Sequence, residues 1–491
     1  MMKAIMVVGT TSHAGKSLIT SAICRILARK GVRVAPFKGQ NMALNSYVTA
    51  NGGEIGYAQA VQAWAAGISP SIEMNPILLK PQGDMTSQVI LKGRPAGVVK
   101  AAEYYEQFFD IGWQTIQECL AILGAEFDVI VGEGAGSPAE INLKHRDLTN
   151  MRVAKHLNAD TLLVVDIDRG GAFAHVVGTL ELLEPDERAL IKGVVINKFR
   201  GQKSLLEPGI KWLEERTGIP VLGVIPWMDE VFPAEDSVSL LERRSRQEKT
   251  DLNITVIRLP RISNFTDFDP LDAEQTVTVK YLPIGEKLGY PDAVIIPGSK
   301  TTISDLLAIK KSGMNEEIKK YLEAGGTVMG ICGGFQMLGQ VLVDIDGIEG
   351  QPGKYEGLGL LPIKTFLSPK KITRQRQVTA NYPLPGLPVH GYEIHHGRTQ
   401  LLENNEDIMP LFDDSALGIV NTSKSVLGNY LHGLFDNGPW RRSWLNFLRK
   451  KRGLDVLPTG ISDYREQREA ILNSVTDCVA EHLDLERLMG N

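Results

Sequence analysis

Short apolar runs alternate with longer amphipathic segments through the first 230 or so residues. The runs Ile5–Val8, Val32–Pro36, Asp128–Gly132, Thr161–Asp166, Gly193–Asn197 and Val221–Ile225 are brief, rich in β-branched residues, and bounded by glycine, proline or polar positions. That pattern predicts buried strands. Helical periodicity occupies intervening stretches such as Ser17–Arg29 and Lys203–Arg216. Strand–helix alternation predicts a mostly parallel sheet with helices on both faces, and ligands then sit beyond the carboxyl ends of the strands. The charged stretch 242–251 reads either as an exposed helix end or as a linker, and the strand Ile254–Leu259 starting directly after it favours the linker. A second series follows, with strands at Ala293–Ile296, Thr327–Ile331 and Val426–Leu431 and helices from about Ser304 and Phe335. The last segment, Asp463–Met489, reads as an acidic helix, with seven Asp or Glu against three Arg. The expected fold is therefore α/β: two doubly wound domains at 1–241 and 252–440, joined by a linker at 242–251 and followed by a helical extension at 441–491.

Composition narrows the class. Of 491 residues, 43% are apolar and 23% charged, which is ordinary for a folded protein and excludes a disordered chain. The net charge of −5, from 53 basic and 58 acidic residues, leaves no basic excess for non-specific binding to nucleic acid. The four cysteines, Cys24, Cys119, Cys332 and Cys478, are too few and too scattered for a disulfide framework or a metal-binding pair. A reducing, cytoplasmic setting is the natural expectation. The apolar start, Ala4–Val8, is too short for a signal sequence and reads as the first strand. No apolar stretch approaches the 18 or so residues of a membrane-spanning helix, so no membrane partner is expected.

The first strand runs into Gly9-Thr10-Thr11-Ser12-His13-Ala14-Gly15-Lys16-Ser17, and a helix follows. A glycine-rich turn entering a helix aims backbone N–H groups at an anion, so the stretch reads as a phosphate loop for ATP. Lys16 would reach the outer phosphates and Ser17 would ligate Mg²⁺. In the usual register Thr10 stands where the first glycine belongs. A carboxylate at a strand's carboxyl end, Glu133, could also hold Mg²⁺ directly or through water. Gly-Thr-x₄-Gly-Lys-Ser resembles the dethiobiotin synthetase-like branch of P-loop enzymes. That resemblance implies that Lys38, after the second strand, faces the phosphates, and that Glu133, in a Glu-Gly-Ala-Gly run, binds the metal. Asn197-Lys198, after the fifth strand, would lie near the nucleotide base or form a simple turn. Glu54 is a further candidate metal ligand. The branch activates carboxylates by phosphorylation, after which a nitrogen nucleophile displaces phosphate. Glu140, Asn142 and Asp147 read as substrate contacts, metal contacts or plain loop polarity.

A second constellation lies at Gly330-Ile331-Cys332-Gly333-Gly334-Phe335-Gln336. An apolar strand, a sharp turn centred on cysteine and a following helix make the thiol counterpart of a nucleophile elbow. The helix N-terminus behind the sulfur would favour thiolate. Cys24, Cys119 and Cys478 read as structural. A nucleophilic thiol needs a base, and His432, His395 and His396 compete for that role on sequence position. The motif around Cys332 resembles the class I glutamine amidotransferases, whose base matches His432. The stretches from Pro297 to Leu306 and from Gly391 to His395, with the N-terminal loop, narrow the resemblance to the cobyric acid synthase family of the cobalamin pathway, over nearly the whole chain.

The resemblance implies an oxyanion and glutamine site formed by Gly298, Ser299, Gly333 and Gln336. It also implies an ATP- and glutamine-dependent ligase that amidates the b, d, e and g carboxylates of adenosylcobyrinic acid a,c-diamide. One departure stands out. Most class I amidotransferases carry a glutamate two residues after the histidine, and here that position is Leu434. Two other readings share parts of the pattern. One is a cobyrinic acid a,c-diamide synthase-type amidase. The other is a deviant P-loop ATPase switch, which would leave residues 252–440 without a purpose and has an acidic tail where a membrane-surface helix should be basic.

Overall fold

The computed structural model describes residues 2–83, 85–228, 250–402 and 407–490. The stretch expected to be a linker, 242–251, lies outside the described residues except for Thr250 and Asp251. The chain separates into two compact units, one of Met1–Ala43, Gly53–Pro233 and Arg468–Asn491, the other of Leu44–Gly52 and Ala234–Gln467.

In the first unit the described residues form a six-stranded sheet in the order Val221–Pro226, Ile191–Phe199, Asp160–Asp166, Lys3–Gly9, Val129–Glu133, Val34–Phe37. Every neighbouring pair is parallel. The central strand is buried at six of its seven positions, as a strand covered on both faces must be, which is why its sequence reads as a continuous apolar run. The switch in strand order lies beside Lys3–Gly9, so its carboxyl end opens into the crevice where such sheets bind ligands. A smaller sheet was not anticipated: Gln40–Met42, Ile77–Gly83, Thr86–Leu91 and Arg94–Lys100, antiparallel after its first pair. Its last strand is exposed at six of seven positions, so it carries little apolar signal. Helix Ala101–Glu126 buries Ile116, Cys119, Leu120 and Leu123 at three- and four-residue spacing. The expected acidic tail helix is present as Tyr464–His482. Arg25 of the first unit pairs with Glu469 (2.6 Å) and donates to Asn473 (2.7 Å) in it.

In the second unit the main sheet runs Val277–Pro283, Leu252–Arg258, Ala293–Ile296, Val328–Ile331, Val426–Asn429, Gly418–Asn421, Ile408–Pro410. Its first four pairings are parallel and its last two antiparallel. Two long strands, Ile363–Thr379 and Pro388–Leu401, pair antiparallel in a further sheet that the sequence pattern did not reveal. Ile363–Thr379 is mostly half-buried or exposed beyond its first six residues, and Pro388–Leu401 buries Tyr392, Glu393, Ile394 and His395 in succession. Helix Gly438–Lys451 brings Trp440 and Trp444, four residues apart and fully buried, into the core of this unit. Among the described residues no helix is long and apolar enough to cross a membrane.

Candidate functional sites

At the carboxyl end of Lys3–Gly9 the chain turns through the glycine-rich loop into helix Lys16–Arg29. Gly15 has φ 102°, a conformation a side chain would strain. A Cβ there would also stand 2.0 Å from the Asn197 amide nitrogen. Lys16 is buried, and its ammonium donates to the carbonyls of Thr11 (3.0 Å) and Gly136 (3.1 Å). The Ser17 hydroxyl donates to Glu133 Oε1 (2.8 Å), and the Lys38 ammonium donates to the same oxygen (3.1 Å). Glu133 is fully buried, and its Oε2 accepts from the Gln62 amide. Three side chains, Ser17, Lys38 and Gln62, thus meet at the Glu133 carboxylate. Gly9 closes beside Lys16: a Cβ on it would lie 3.1 Å from the lysine ammonium. The Thr10 hydroxyl is buried with no hydrogen-bond partner among the described residues, an orphan polar atom in a loop shaped for an anion.

Asn197 and Lys198 support the loop from behind. The Asn197 amide donates to Ala14 O (2.9 Å), and Lys198 donates to His13 O (2.8 Å) and Asp166 (2.7 Å). Glu54 is fully buried and paired with Lys80 at 2.6 Å. Asp147 works locally: one carboxylate oxygen accepts from the N–H groups of Thr149 (2.8 Å) and Asn150 (2.7 Å), the other from Arg152 N–H (3.0 Å), which starts helix Met151–Leu157. Glu140 lines a cavity beside this loop, and Asn142 is exposed. Nothing in the sequence marks Gln62, because it is one of two glutamines, with Gln59, in helix Tyr57–Ala65 and belongs to no motif.

In the second unit Cys332 follows strand Val328–Ile331 at φ 51° and ψ −107°. That strained backbone is the elbow its glycine neighbours permit. The helix behind it, Gly333–Met337, has only five residues. Its dipole is correspondingly small, so the expected help from a helix N-terminus is slight. Gly334 fits against strand Ala293–Ile296 so closely that a Cβ would stand 1.9 Å from Ile296 O. Neither backbone can yield there. Gly334→Ala is expected to destabilise the protein by about 3 kcal/mol or more, read as a fall in the denaturant midpoint.

The strand expected to reach Leu431 ends at Asn429, because the Asn429 side chain accepts from Leu431 N–H (2.9 Å) and turns the chain. His432 then forms a two-way backbone bridge with Tyr392: His432 N–H to Tyr392 O at 2.9 Å and the return bond at 3.1 Å. The two rings stack with centroids 5.6 Å apart. Tyr392 OH donates to Ser46 O (3.1 Å).

His432 is fully buried, and its Nδ1 lies 2.7 Å from Asp267 Oδ2. The other Asp267 oxygen accepts from Gly433 N–H (2.9 Å). Among the described residues Nε2 has no hydrogen-bond partner, and Cys332 is the neighbouring group that, after Asp267, acts on the ring. Burial opposes charge on this ring, but Asp267 and then Cys332 outweigh it and push the imidazole up to about 10. The sulfur also lies 3.4 Å from Ile394 O. Both ring nitrogens of His395 are engaged, by Gly397 O (2.8 Å) and Glu393 (3.0 Å), and its ring stacks on Tyr430. His396 Nδ1 is bonded to Ser368 O (2.9 Å). Of the three competing histidines, His432 is the one that faces the thiol.

The Gly298–Ser299 turn closes the other side. A Cβ on Gly333 would stand 2.9 Å from the Ser299 nitrogen, and one on Gly298 3.3 Å from His432 Cε1. The Ser299 hydroxyl donates to Asp305 (2.6 Å), whose carboxyl burial pushes up to about 6. Gln336 is buried, and its Oε1 has no hydrogen-bond partner among the described residues.

Asp267 was missed at the sequence level. It lies 165 positions before His432, in the short turn Phe265–Phe268, and no local motif marks it. The turn is held by Asn45, whose side chain accepts from Phe265 N–H (3.0 Å). Asn264 in turn accepts from Ser46 N–H (3.0 Å).

Comparison with known proteins bears on both sites. Residues 5–240 match the CobQ/CobB/MinD/ParA nucleotide binding domain, and residues 253–440 match the CobB/CobQ-like glutamine amidotransferase domain. A cobyric acid synthase from Nostoc punctiforme is 71% identical over 489 residues, spanning 99% of each chain. One from Trichodesmium erythraeum is 70% identical over 488 residues, spanning 99% of this chain and 100% of the other. Among solved structures, PurLQS from Thermotoga maritima matches 40% of this chain and 100% of its own at 21% identity, with a TM-score of 0.33.

Proposed function

The chain belongs to the cobyric acid synthase family of glutamine amidotransferase ligases, and on that footing we propose that its two sites divide one reaction. In the second unit Cys332 attacks the glutamine carboxamide, a thioester forms and ammonia leaves; water then releases glutamate. His432, protonated at rest beside Asp267, gives its proton to the departing ammonia and takes one back from the attacking water. The N–H groups of Gly333 and Ser299 receive the developing oxyanion. Gln336 Oε1, buried without a partner, is placed to accept from the substrate.

In the first unit a substrate carboxylate attacks the γ-phosphorus of ATP, giving an acyl phosphate and ADP. Ammonia displaces phosphate and leaves an amide. Lys16 and Lys38 neutralise charge on the phosphates, and Asn197 holds the loop that cradles them. The oxygen set of Ser17 and Glu133 fits Mg²⁺, which would screen the phosphate charge, and Glu54 is a further candidate ligand. The substrate is adenosylcobyrinic acid a,c-diamide, amidated at b, d, e and g. ATP, glutamine and the corrinoid acid are the small-molecule partners of a cytoplasmic enzyme. The working domain limits are 1–241 and 252–440, with an extension at 441–491. The observation that carries this reading is the buried line Asp267–His432–Cys332, which supplies the carboxylate absent at Leu434. Product masses test it. Four added amides on the a,c-diamide support the reading; amidation of only the a and c positions of cobyrinic acid favours the sister activity instead.

Asp267→Asn is expected to lower glutamine hydrolysis by about 10²- to 10⁴-fold. Amidation from ammonium salts should be spared. Stability carries the same signature. His432 is raised from 6.5 to about 10, so the pair's contribution is fully present below pH 6.5 and is lost as pH rises through about 10. The melting-temperature gap between wild type and D267N should therefore be widest in acid and narrow towards pH 10. A gap that widens with rising pH would contradict the assignment.

A further inference from the structure

Beside the phosphate loop the first unit holds a cavity of about 300 Å³, lined in part by Gln40, Tyr105, Ser137, Glu140, Arg146 and Asn150. Ala135 and Gly136 form one wall, and the Gly136 carbonyl is one of the two that receive the Lys16 ammonium. The cavity therefore shares backbone with the group assigned to the phosphates. Most charged residues around it are already committed. Lys144 is paired with Glu187 (2.9 Å) and Glu184 (3.2 Å), and Asp147 accepts three backbone N–H groups.

Arg146 differs. Its guanidinium has no hydrogen bond or ion pair among the described residues and lies 5.1 Å from the centroid of the Tyr105 ring. Stacking on an aromatic face fixes the plane of a guanidinium while leaving its N–H fork free. Glu140 is also unpaired, but it is exposed and its charge is solvated. The cavity wall also carries a buried polar side chain that is only partly satisfied. Asn150 is 94% buried, its amide donates to Ala135 O (2.8 Å), and its Oδ1 has no partner among the described residues.

We propose that this cavity binds an arm of the acid substrate, with Arg146 gripping a carboxylate that is not the one being phosphorylated. The inference rests on the reading of the first unit as a carboxylate-activating site. A substrate bearing several carboxylates needs a second point of attachment to present one of them, and a planar, always-charged fork is the group best suited to hold a carboxylate. Size sets the mode. The cavity is at the lower end of the 300–1,000 Å³ of small-molecule pockets. It holds an arm and the adjoining rim of a macrocycle, not the whole ring. The solvated Glu140 at the cavity's edge can accept N–H donors, which suits a substrate that already carries primary amides.

Steady-state amidation with ammonium chloride as nitrogen donor tests this without involving the second unit. Arg146→Ala should raise the KM for adenosylcobyrinic acid a,c-diamide about 10- to 100-fold, with the KM for ATP and the melting temperature unchanged. Arg146→Lys should recover part of that loss, and Arg146→Glu should exceed it. An unchanged KM for the acid in R146A, or an equal rise in the KM for ATP, overturns the inference. A wild-type chain that amidates no corrinoid acid would instead overturn the functional reading itself, a result distinguishable from a working wild type with an indifferent R146A.

Discussion

Cys332→Ala is expected to abolish glutamine-dependent amidation, by about 10³-fold or more, while amidation supported by ammonium salts stays near the wild-type rate. The reason is geometric. The sulfur sits on a strained turn with the His432 imidazole facing it, and Cys332 is the one cysteine of the second unit. Cys24 lies in helix Lys16–Arg29 and Cys119 in helix Ala101–Glu126, both in the first unit and both buried. Burial pushes the Cys24 thiol upward and the Cys119 thiol up to about 12, so neither supplies thiolate near neutral pH. The substitution removes the nucleophilic sulfur at a buried position of the second unit and leaves the residues of the first unit unchanged. Parallel assays with glutamine and with ammonium chloride separate the two outcomes. Loss of both activities, or of neither, would contradict a division between two sites.

Lys16→Ala should instead remove both routes, lowering amidation about 10²- to 10³-fold or more whichever nitrogen source is used. The Lys16 ammonium is held between Thr11 O and Gly136 O. ATP carries its charge to that point, and nitrogen delivered from any source has nothing to displace unless phosphate has first been transferred. Lys16→Gln, which keeps length and hydrogen-bonding capacity but not charge, should show the same loss. Retention of glutamine hydrolysis in either variant would locate the defect in the first unit, and full amidation in both would remove the loop from the chemistry.

The parallel sheets and the loops at their carboxyl ends were legible because they rest on local rules. A strand buried on both faces must be a short apolar run, and a backbone that cradles an anion or bends around a nucleophile needs glycine beside it. Lys3–Gly9 with Gly15, and Val328–Ile331 with Gly333 and Gly334, obey both. The antiparallel strands Ile363–Thr379 and Pro388–Leu401 were not legible. The pairing is broken by a register shift between Leu367 and Ile372, and Pro388–Leu401 buries four residues in a row, so no clean two-residue period runs through either strand.

The site followed the same division. Ser17, Lys38 and Glu133 could be named because each sits at a fixed place relative to a strand end. Asp267 could not, since it reaches His432 only through tertiary folding of the turn Phe265–Phe268. Its signal was negative: Leu434 in place of a carboxylate left open whether His432 works in a dyad or is oriented by a group elsewhere in the chain. Arg146 gave no sequence signal at all, because a basic residue in a polar loop is ordinary. Only the cavity and the absence of a partner single it out.

Nitrogen tracing tests the whole scheme most directly. Wild type supplied with glutamine labelled with nitrogen-15 in its carboxamide, together with unlabelled ammonium chloride, should place the label in the new corrinoid amides. C332A in the same mixture should form amides free of label, and K16A should form none. Label reaching the product in C332A would show that nitrogen leaves glutamine without that sulfur, and the two-site account would then be wrong.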